Sequence, residues 1–232
     1  MLYRFYLLIF FLLFTSCTQH SDENTMILTG QIHGLKKGTI FLERIIDTSY
    51  VAIDSFKIYG DSKFHFQQQI ESPEVLHLYL RLDNGNLLDD RVSFFAEPKE
   101  IDLSTNLEDF SNPYITGSKN HEKMLTYYKM AKRYQDRNLD LFVEEFNAKK
   151  DNNDSLMKII EQKKQTLLRT SYLATVNFAL QNSEFEIAPF IMVYETPDIH
   201  KSYLDTVYNS LSDKVKQGIY GKRLKEIIAN KE

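Results

Sequence analysis

Residues 76–82 read Leu-His-Leu-Tyr-Leu-Arg-Leu, an alternation in which every second side chain is leucine. Because successive side chains of a β-strand point to opposite faces, this period of two predicts a strand whose leucines lie on a buried face. Phe64 and Phe66 repeat the pattern earlier in the chain. Val92 and Phe94 repeat it a few residues later. These repeats predict that the N-terminal half of the chain is β-sheet.

Turn-forming residues separate the alternating runs at short intervals between about residue 26 and residue 114. Gly and Asn adopt positive φ at little cost, and Pro ends strands, so these residue types mark turns. They occur at His33-Gly34, Lys37-Gly38, Gly60-Asp61, Ser72-Pro73, Asp83-Asn84-Gly85-Asn86 and Glu97-Pro98. Seven or eight short strands with turns this close together predict an antiparallel β-sandwich or an open barrel over residues 26–117.

From about Ser118 the apolar period changes to 3.6, which predicts a helical subdomain over residues 118–232. One apolar stripe is predicted along the first helix, formed by Met124, Tyr127, Tyr128, Ala131, Tyr134, Leu141, Phe142 and Phe146. A break at residues 151–153 precedes a second helix, for which Asp154 or Ser155 is the predicted N-cap. Shorter helices are predicted over residues 188–194, 202–211 and 213–229. The predicted fold class is therefore α+β, with a sandwich or open barrel followed by helices.

The first 17 residues have the pattern of a targeting signal. Arg4 precedes an apolar run from Phe5 to Phe14, which Thr15-Ser16-Cys17 follows. A basic start, a short apolar run and a small-residue cleavage site predict a signal peptide over residues 1–16. The run is too short for a membrane span, which needs about 20 residues. Cys17 after small residues resembles a bacterial lipobox, in which the cysteine becomes the first residue and carries the lipid, including palmitate. An ordinary signal with an incidental cysteine is the alternative.

A lipid on Cys17 implies a protein that is anchored to the outer membrane and does not cross it. Residues 17–25 are then predicted to be a polar tether. Asp22-Glu23 resembles the acidic tags of surface-exposed lipoproteins, but a soluble tether explains it equally, so the periplasmic face and the cell surface both stay open. Cys17 is the only cysteine of the chain. The mature protein is therefore expected to have no disulfide and no thiol chemistry.

The composition favours a folded protein that does not bind nucleic acid. The chain is 43% hydrophobic and 13% aromatic, which is ample for a buried core. Its formal net charge is −4 and its pI is about 5.9. Nucleic-acid phosphates require clustered Lys and Arg, and this chain lacks such a basic excess.

The search for chemistry in the sequence gives no catalytic, metal or cofactor site. The six histidines do not occur at metal-ligand spacing. His65 and His77 lie opposite the apolar faces of their predicted strands, so both are expected on the surface. Ser55 has no general base near it in sequence. Adjacent acids such as Glu144-Glu145 diverge on a helix and are expected to be solvated. The tyrosines between residues 127 and 134 are interpreted as core or subdomain interface, with a partner-binding surface as the alternative.

Several stretches of the chain occur together in a known family. They are Leu28-Thr29-Gly30-Gln31-Ile32, Gly38-Thr39-Ile40-Phe41-Leu42, Ile53-Asp54-Ser55, Gly60 to Phe66, Phe94-Phe95-Ala96-Glu97 and Ile115-Thr116-Gly117-Ser118. Their order resembles a domain of unknown function that precedes a thioredoxin-like domain of the AhpC/TSA type in lipoproteins of Bacteroidota. The Cys-x-x-Cys motif of that redox domain is absent here. The resemblance therefore implies the accessory part without the enzyme, and it transfers no catalytic residue.

Three functional hypotheses follow. The first is a non-catalytic, lipid-anchored envelope protein that acts as a binding or accessory module for an envelope protein partner. The second is an accessory subunit of a separate thioredoxin-like thiol-disulfide enzyme. The third is an enzyme with an unrecognised site, which a pocket with convergent carboxylates or a Ser–His pair would favour. The sequence does not predict the ligand or the oligomeric state.

Overall fold

The computed structural model describes residues 24–83 and 87–231, with the side chains of residues 87–89 left out. The predicted signal peptide, Cys17 and the tether up to residue 23 lie outside the described residues. So do residues 84–86 of the predicted turn. Within the described part of the chain, no helix combines the length and the apolar composition that crossing a membrane requires.

Eight strands form the N-terminal part of the described chain. They are β1 (Thr25–His33), β2 (Lys37–Ile46), β3 (Ser49–Tyr59), β4 (Lys63–Gln69), β5 (Glu74–Leu82), β6 (Leu87–Ala96), β7 (Glu100–Asn106) and β8 (Asp109–Thr116). Hydrogen bonds divide them between two four-stranded sheets. The first sheet has the order β4-β1-β7-β8 and the second β3-β2-β5-β6. The two sheets enclose a shared apolar core, so the architecture is a sandwich rather than an open barrel.

The strand alternation predicted from the sequence is confirmed in the core. Leu76, Leu78 and Leu80 are fully buried, whereas Tyr79 between them is half-buried. The second sheet is antiparallel at each of its pairings. In the first sheet, however, β1 and β7 are parallel, with Leu28 opposite Ile101. Side-chain periodicity is the same in parallel and antiparallel strands, so the sequence pattern alone did not distinguish them.

Six helices follow the strands in the described chain. They are α1 (Lys119–Lys150), α2 (Asp154–Gln181), α3 (Ile187–Tyr194), α4 (Lys201–Ser210), α5 (Asp213–Gln217) and α6 (Ile219–Asn230). The predicted break between the first two helices is confirmed, but the N-cap is Asn153, one residue earlier than predicted. Its side chain accepts a hydrogen bond from the Leu156 N–H at 3.0 Å. The single helix predicted over residues 213–229 is wrong, because the extended backbone of Gly218 separates α5 from α6.

The chain passes from the last strand into α1 without a linker. Gly117 has a φ of +95°, which L-residues rarely adopt, and a Cβ there would overlap the Glu100 carbonyl oxygen. Ser118 then caps α1, since its Oγ accepts a hydrogen bond from the His121 N–H at 3.0 Å. This sharp turn directs α1 away from the sandwich at a fixed position.

The helices have their own apolar core, which reaches the second sheet through Phe95. The Phe95 ring contacts Phe190 of α3 and Tyr220 of α6 edge-on, with centroids 5.5 and 5.9 Å away. The Tyr220 hydroxyl also accepts a hydrogen bond from the Val75 N–H at 2.8 Å. Val75 and Phe95 are cross-strand neighbours of β5 and β6. The helical part therefore packs on the face of the second sheet that points away from the sandwich core.

Candidate functional site

The longest feature of the molecule is a hairpin formed by α1 and α2. A helix of 32 residues such as α1 extends about 48 Å at 1.5 Å per residue. Antiparallel packing is shown by pairs such as Tyr127 with Thr175 and Glu144 with Lys163. We call residues 132–171 the distal arm. Only Leu141, Ala148 and Ile160 are buried among the described residues of the arm, so most of its surface faces solvent.

The single apolar stripe predicted for α1 is in fact two neighbouring stripes. The inner stripe contains Met124, Tyr127 and Leu141, which are buried against α2 or α3. The outer stripe is shifted by one residue and is exposed; it contains Leu125, Tyr128, Leu139, Phe142 and Phe146. Leu125, Leu139 and Phe146 are separated by multiples of seven residues, and so are Tyr128 and Phe142. Residues at such spacings, or three to four apart, lie on the same side of a helix. Because one partner helix covers only one side of α1, the prediction of a single stripe was wrong for Tyr128, Phe142 and Phe146.

Exposure is greatest toward the tip of the arm. Leu139, Phe142 and Phe146 are 63%, 60% and 65% exposed, respectively. Phe142 and Phe146 line an open groove, which continues across to Met157 of α2. Lys164 of α2 lies over the Phe142 ring and forms an ion pair with Glu145. The groove thus has apolar walls, but charged residues line it as well, and of these Glu145 is paired with Lys164.

A cavity of about 220 Å³ lies nearer to the base of the hairpin, between α1 and α2. It is lined by Tyr127, Met130, Ala131, Tyr134, Gln135, Asn138, Lys164, Leu167, Leu168, Ser171, Tyr172, Thr175 and Glu195. Tyrosines and a carboxylate line its end near the base, whereas Lys164 lines its end toward the arm. The cavity combines apolar walls with polar groups, as ligand-binding pockets commonly do.

Burial sets the protonation of the groups at the base of this cavity. Desolvation raises the pKa of Tyr127 to about 12, although its hydroxyl is hydrogen-bonded to Thr175 Oγ1 at 3.1 Å. Desolvation also raises the pKa of Glu195, which follows α3. The raised pKa keeps the Tyr127 hydroxyl protonated near neutral pH, whereas it makes the Glu195 carboxylate a stronger base than an exposed one.

A second polar cluster lies on the outer face of the second sheet. The Arg91 guanidinium is stacked between the rings of Tyr50 and Tyr79, 4.1 and 4.6 Å from their centroids. It also donates to Glu43 Oε2 at 2.8 Å. Stacking on two rings together with a charge-assisted hydrogen bond holds Arg more firmly than an exposed ion pair does. The cluster joins residues of all four strands of the second sheet: Glu43 of β2, Tyr50 of β3, Tyr79 of β5 and Arg91 of β6.

The prediction that His77 lies on the surface was wrong. His77 is 6% exposed, because the Tyr50 ring packs on it edge-on at 5.0 Å and Arg91 lies beside it. Desolvation lowers the pKa of His77, although Glu43 nearby opposes the shift. The cause is long-range packing by Tyr50 from β3, which strand periodicity does not reveal. His65, in contrast, is exposed as predicted.

The structure brings His77 and Ser93 together, which the sequence search missed. Ser93 Oγ lies 2.9 Å from His77 Nδ1, and the two residues are cross-strand partners. A nucleophilic serine needs a base that a third group orients. Here the His77 Nε2 atom has no partner among the described residues, and the Glu43 carboxylate is held by Arg91. The pair has the geometry of a sheet hydrogen bond rather than of an activated nucleophile.

The other residues singled out in the sequence have structural partners. Asp54 accepts hydrogen bonds from the Ser55 N–H and from Gln68 Nε2. Glu144 and Glu145 pair with different lysines of α2, as expected for divergent side chains on a helix. Among the described residues, no group of His, Cys, Asp and Glu side chains is placed to hold a metal ion.

Comparison with known proteins identifies one domain. No curated protein and no solved structure matches the chain. The matched stretch, residues 26–124, contains nearly all of the sandwich and the first turn of α1. The resemblance deduced from the sequence is thereby confirmed: residues 26–124 match the family described as Domain of unknown function (DUF4369).

Proposed function

We propose that this protein is a non-catalytic, lipid-anchored protein of the bacterial cell envelope that binds a protein partner through its distal arm. The observation that supports the proposal is the exposed outer stripe of α1. Isolated apolar residues are normal on a protein surface, but an aligned apolar surface on a projecting element is typical of an interaction site.

The shape and charge of the arm favour a protein partner. The groove beside Phe142 and Phe146 lies at the tip of the hairpin, where α1 ends and α2 begins, and together with the outer stripe it offers apolar contacts to the apolar face of an amphipathic helix. The arm carries nine Lys and Arg against seven Asp and Glu, a net charge of +2, whereas the whole chain has −4. The rest of the chain therefore has −4 − 2 = −6. A partner helix with an apolar face and acidic flanks would fit the arm better than the body.

Capture in intact cells tests the arm. A photo-reactive amino acid is placed at Phe142, and in a control at Tyr114, which is 73% exposed on β8. We expect one dominant protein to be cross-linked from position 142 and not from 114. The double variant with Leu139→Ser and Phe146→Ser should reduce that product about tenfold or more. Equal capture from both positions, or capture of phospholipid alone, would contradict a protein-binding arm.

The identity of the captured protein decides between the two non-catalytic hypotheses. A thioredoxin-like protein would make this chain the accessory subunit of a separate thiol-disulfide enzyme. Any other envelope protein would support the more general binding role. Turnover of a substrate that a single substitution such as Ser93→Ala abolishes would overturn the non-catalytic proposal.

The lipid anchor is tested separately at Cys17. Cys17→Ala removes the thiol that acylation requires, so we expect loss of the lipid and release from the membrane fraction. Ser16→Ala keeps a small residue before the cysteine and serves as the matched control. The measurement is metabolic labelling with an alkyne-bearing palmitate analogue, combined with membrane fractionation. A Cys17→Ala protein that remains labelled and membrane-bound would refute the anchor.

A further inference from the structure

The cavity between α1 and α2 contains a carboxylate without a counter-ion, at its end near the base of the hairpin. Glu195 lines the cavity and is half-buried. No hydrogen bond or ion pair with another described residue engages its carboxylate. A half-buried carboxylate usually has a cationic or hydrogen-bonding partner, because desolvating an unpaired charge is costly.

Among the described residues, one cation lines the same cavity, and it is remote from Glu195 and already paired. Lys164 forms an ion pair with Glu145 and lies over the Phe142 ring. It precedes Thr175 by eleven residues of α2, which corresponds to about 16 Å along the helix. Thr175 is at the level of Tyr127, whose pKa Glu195 helps to raise. Lys164 therefore does not neutralise Glu195.

Two further features make the potential at this end of the cavity negative. Glu195 follows the C-terminus of α3, where the helix dipole places partial negative charge. Tyr127 and Tyr172 line the walls near this end, and Tyr134 lines them about 10 Å further along α1; the faces of tyrosine rings carry negative quadrupole charge. Aromatic walls around one carboxylate are the arrangement by which proteins bind organic ammonium groups.

We propose that this cavity binds an organic ammonium group, with the Glu195 carboxylate as counter-ion and the three tyrosines as walls. The ammonium group would come from a small alkylamine or from a lysine side chain of a partner. The site does not depend on the proposed function of the arm, because none of its lining residues belongs to the exposed outer stripe.

Titration calorimetry with two probes of equal size tests the charge requirement. n-Butylammonium carries the proposed charge, and 1-butanol is its neutral counterpart. We expect butylammonium to bind at least about tenfold more tightly than butanol. N-acetyl-lysine amide is the third probe. Tighter binding of this probe would assign the site to lysine side chains, and weaker binding would assign it to small amines.

Matched variants locate the binding site. Glu195→Gln keeps the shape and removes the charge, and we expect butylammonium affinity to fall about tenfold or more. Glu184→Gln removes the same charge from an exposed position outside the cavity and should leave the affinity unchanged. Tyr134→Leu keeps an apolar wall without its quadrupole and should weaken butylammonium while leaving butanol unaffected. Thermal unfolding confirms that each variant is folded.

Either of two results would overturn the proposal. If butanol binds as well as butylammonium, or if Glu195→Gln retains full affinity, the cavity is only an apolar groove. The variant with Leu139→Ser and Phe146→Ser should bind butylammonium like the wild type. This variant changes the outer stripe and not the cavity, so the two proposals can be tested and can fail independently.

Discussion

Glu186 is the residue whose protonation depends most clearly on the tertiary structure. It lies between α2 and α3, is 3% exposed, and its Oε2 atom has no partner among the described residues. Desolvation raises the pKa of Glu186 to about 8, although Lys214 opposes the shift. The folded protein therefore holds a proton on Glu186 at pH values where the unfolded chain has lost it.

This difference predicts how stability depends on pH. Between the ordinary pKa of 4.5 and about 8, the unfolded state binds fewer protons at this site, so the free energy of unfolding falls as pH rises. One pKa unit corresponds to about 1.4 kcal/mol, so the loss reaches several kcal/mol. Glu186→Gln removes the titration. In urea unfolding, the free energy of unfolding of Glu186→Gln relative to the wild type should be higher at pH 8 than at pH 5.

The exposed Glu184 provides the control for this experiment. Glu184→Gln changes the formal charge equally but titrates in solvent, so its stability difference from the wild type should be nearly the same at both pH values. A Glu186→Gln variant that shows no such gain would mean that Glu186 is already ionised in the folded protein.

A second prediction at this scale concerns the glycine that faces Glu186. Gly218 has an ordinary φ of −70°, so it is required by space and not by backbone conformation. A Cβ at position 218 would overlap the Glu186 carboxylate. Gly218→Ala should therefore destabilise the protein by about 1–3 kcal/mol in urea unfolding. Combining it with Glu186→Ala should recover part of that loss; purely additive effects would disprove the contact.

At the scale of elements, the α1–α2 hairpin shows what a helical pattern does and does not reveal. Apolar residues at i, i+3 and i+4 predicted both helices and the break between them. The pattern did not show which of two adjacent stripes a partner covers. That choice depends on the side from which α2 approaches: Tyr127 is buried and hydrogen-bonded to Thr175 of α2, whereas the neighbouring Tyr128 is exposed.

The two stripes should respond differently to substitution. Ile160 is fully buried between the helices of the arm, so Ile160→Ala should cost about 2–5 kcal/mol. Phe146 is 65% exposed, and Phe146→Ser should change stability by no more than about 0.5 kcal/mol. Urea unfolding of both variants provides the measurement. A large loss for Phe146→Ser would show that the outer stripe is covered within the protein itself.

At the scale of the whole molecule, a buried polar network joins the sandwich to the helices. Glu97 Oε1, at the end of β6, accepts hydrogen bonds from Ser118 Oγ at 2.9 Å and from the Asn120 N–H at 2.6 Å. Asn120 Oδ1 in turn accepts from the Ile187 N–H at 3.0 Å. One hydrogen-bond network thus connects the second sheet to the start of α1 and to the start of α3.

Loss of this network should loosen the connection between the two cores. Asn120→Ala leaves the Ile187 N–H without its acceptor in a buried place, so we expect a cost of about 1–3 kcal/mol. Asn147→Ala, at an exposed position of the arm, is the control. Hydrogen exchange should show faster opening at the start of α3 in Asn120→Ala. Unchanged protection there would mean that other contacts, such as those of Phe95 with Phe190 and Tyr220, hold the start of α3 in place without Asn120.

The sequence by itself determined the fold class and the family of the N-terminal domain. Periods of two and 3.6, with turn residues between the runs, depend only on local geometry and burial, so they can be read from single stretches. Which strands are parallel, which stripe of α1 is exposed, and why His77 is buried were decided only by the tertiary structure. Each depends on residues far apart in the chain, such as β1 beside β7 and Tyr50 over His77. The cavity between α1 and α2 belongs to the same class, because Glu195 joins its tyrosines only after α3 has packed against the hairpin.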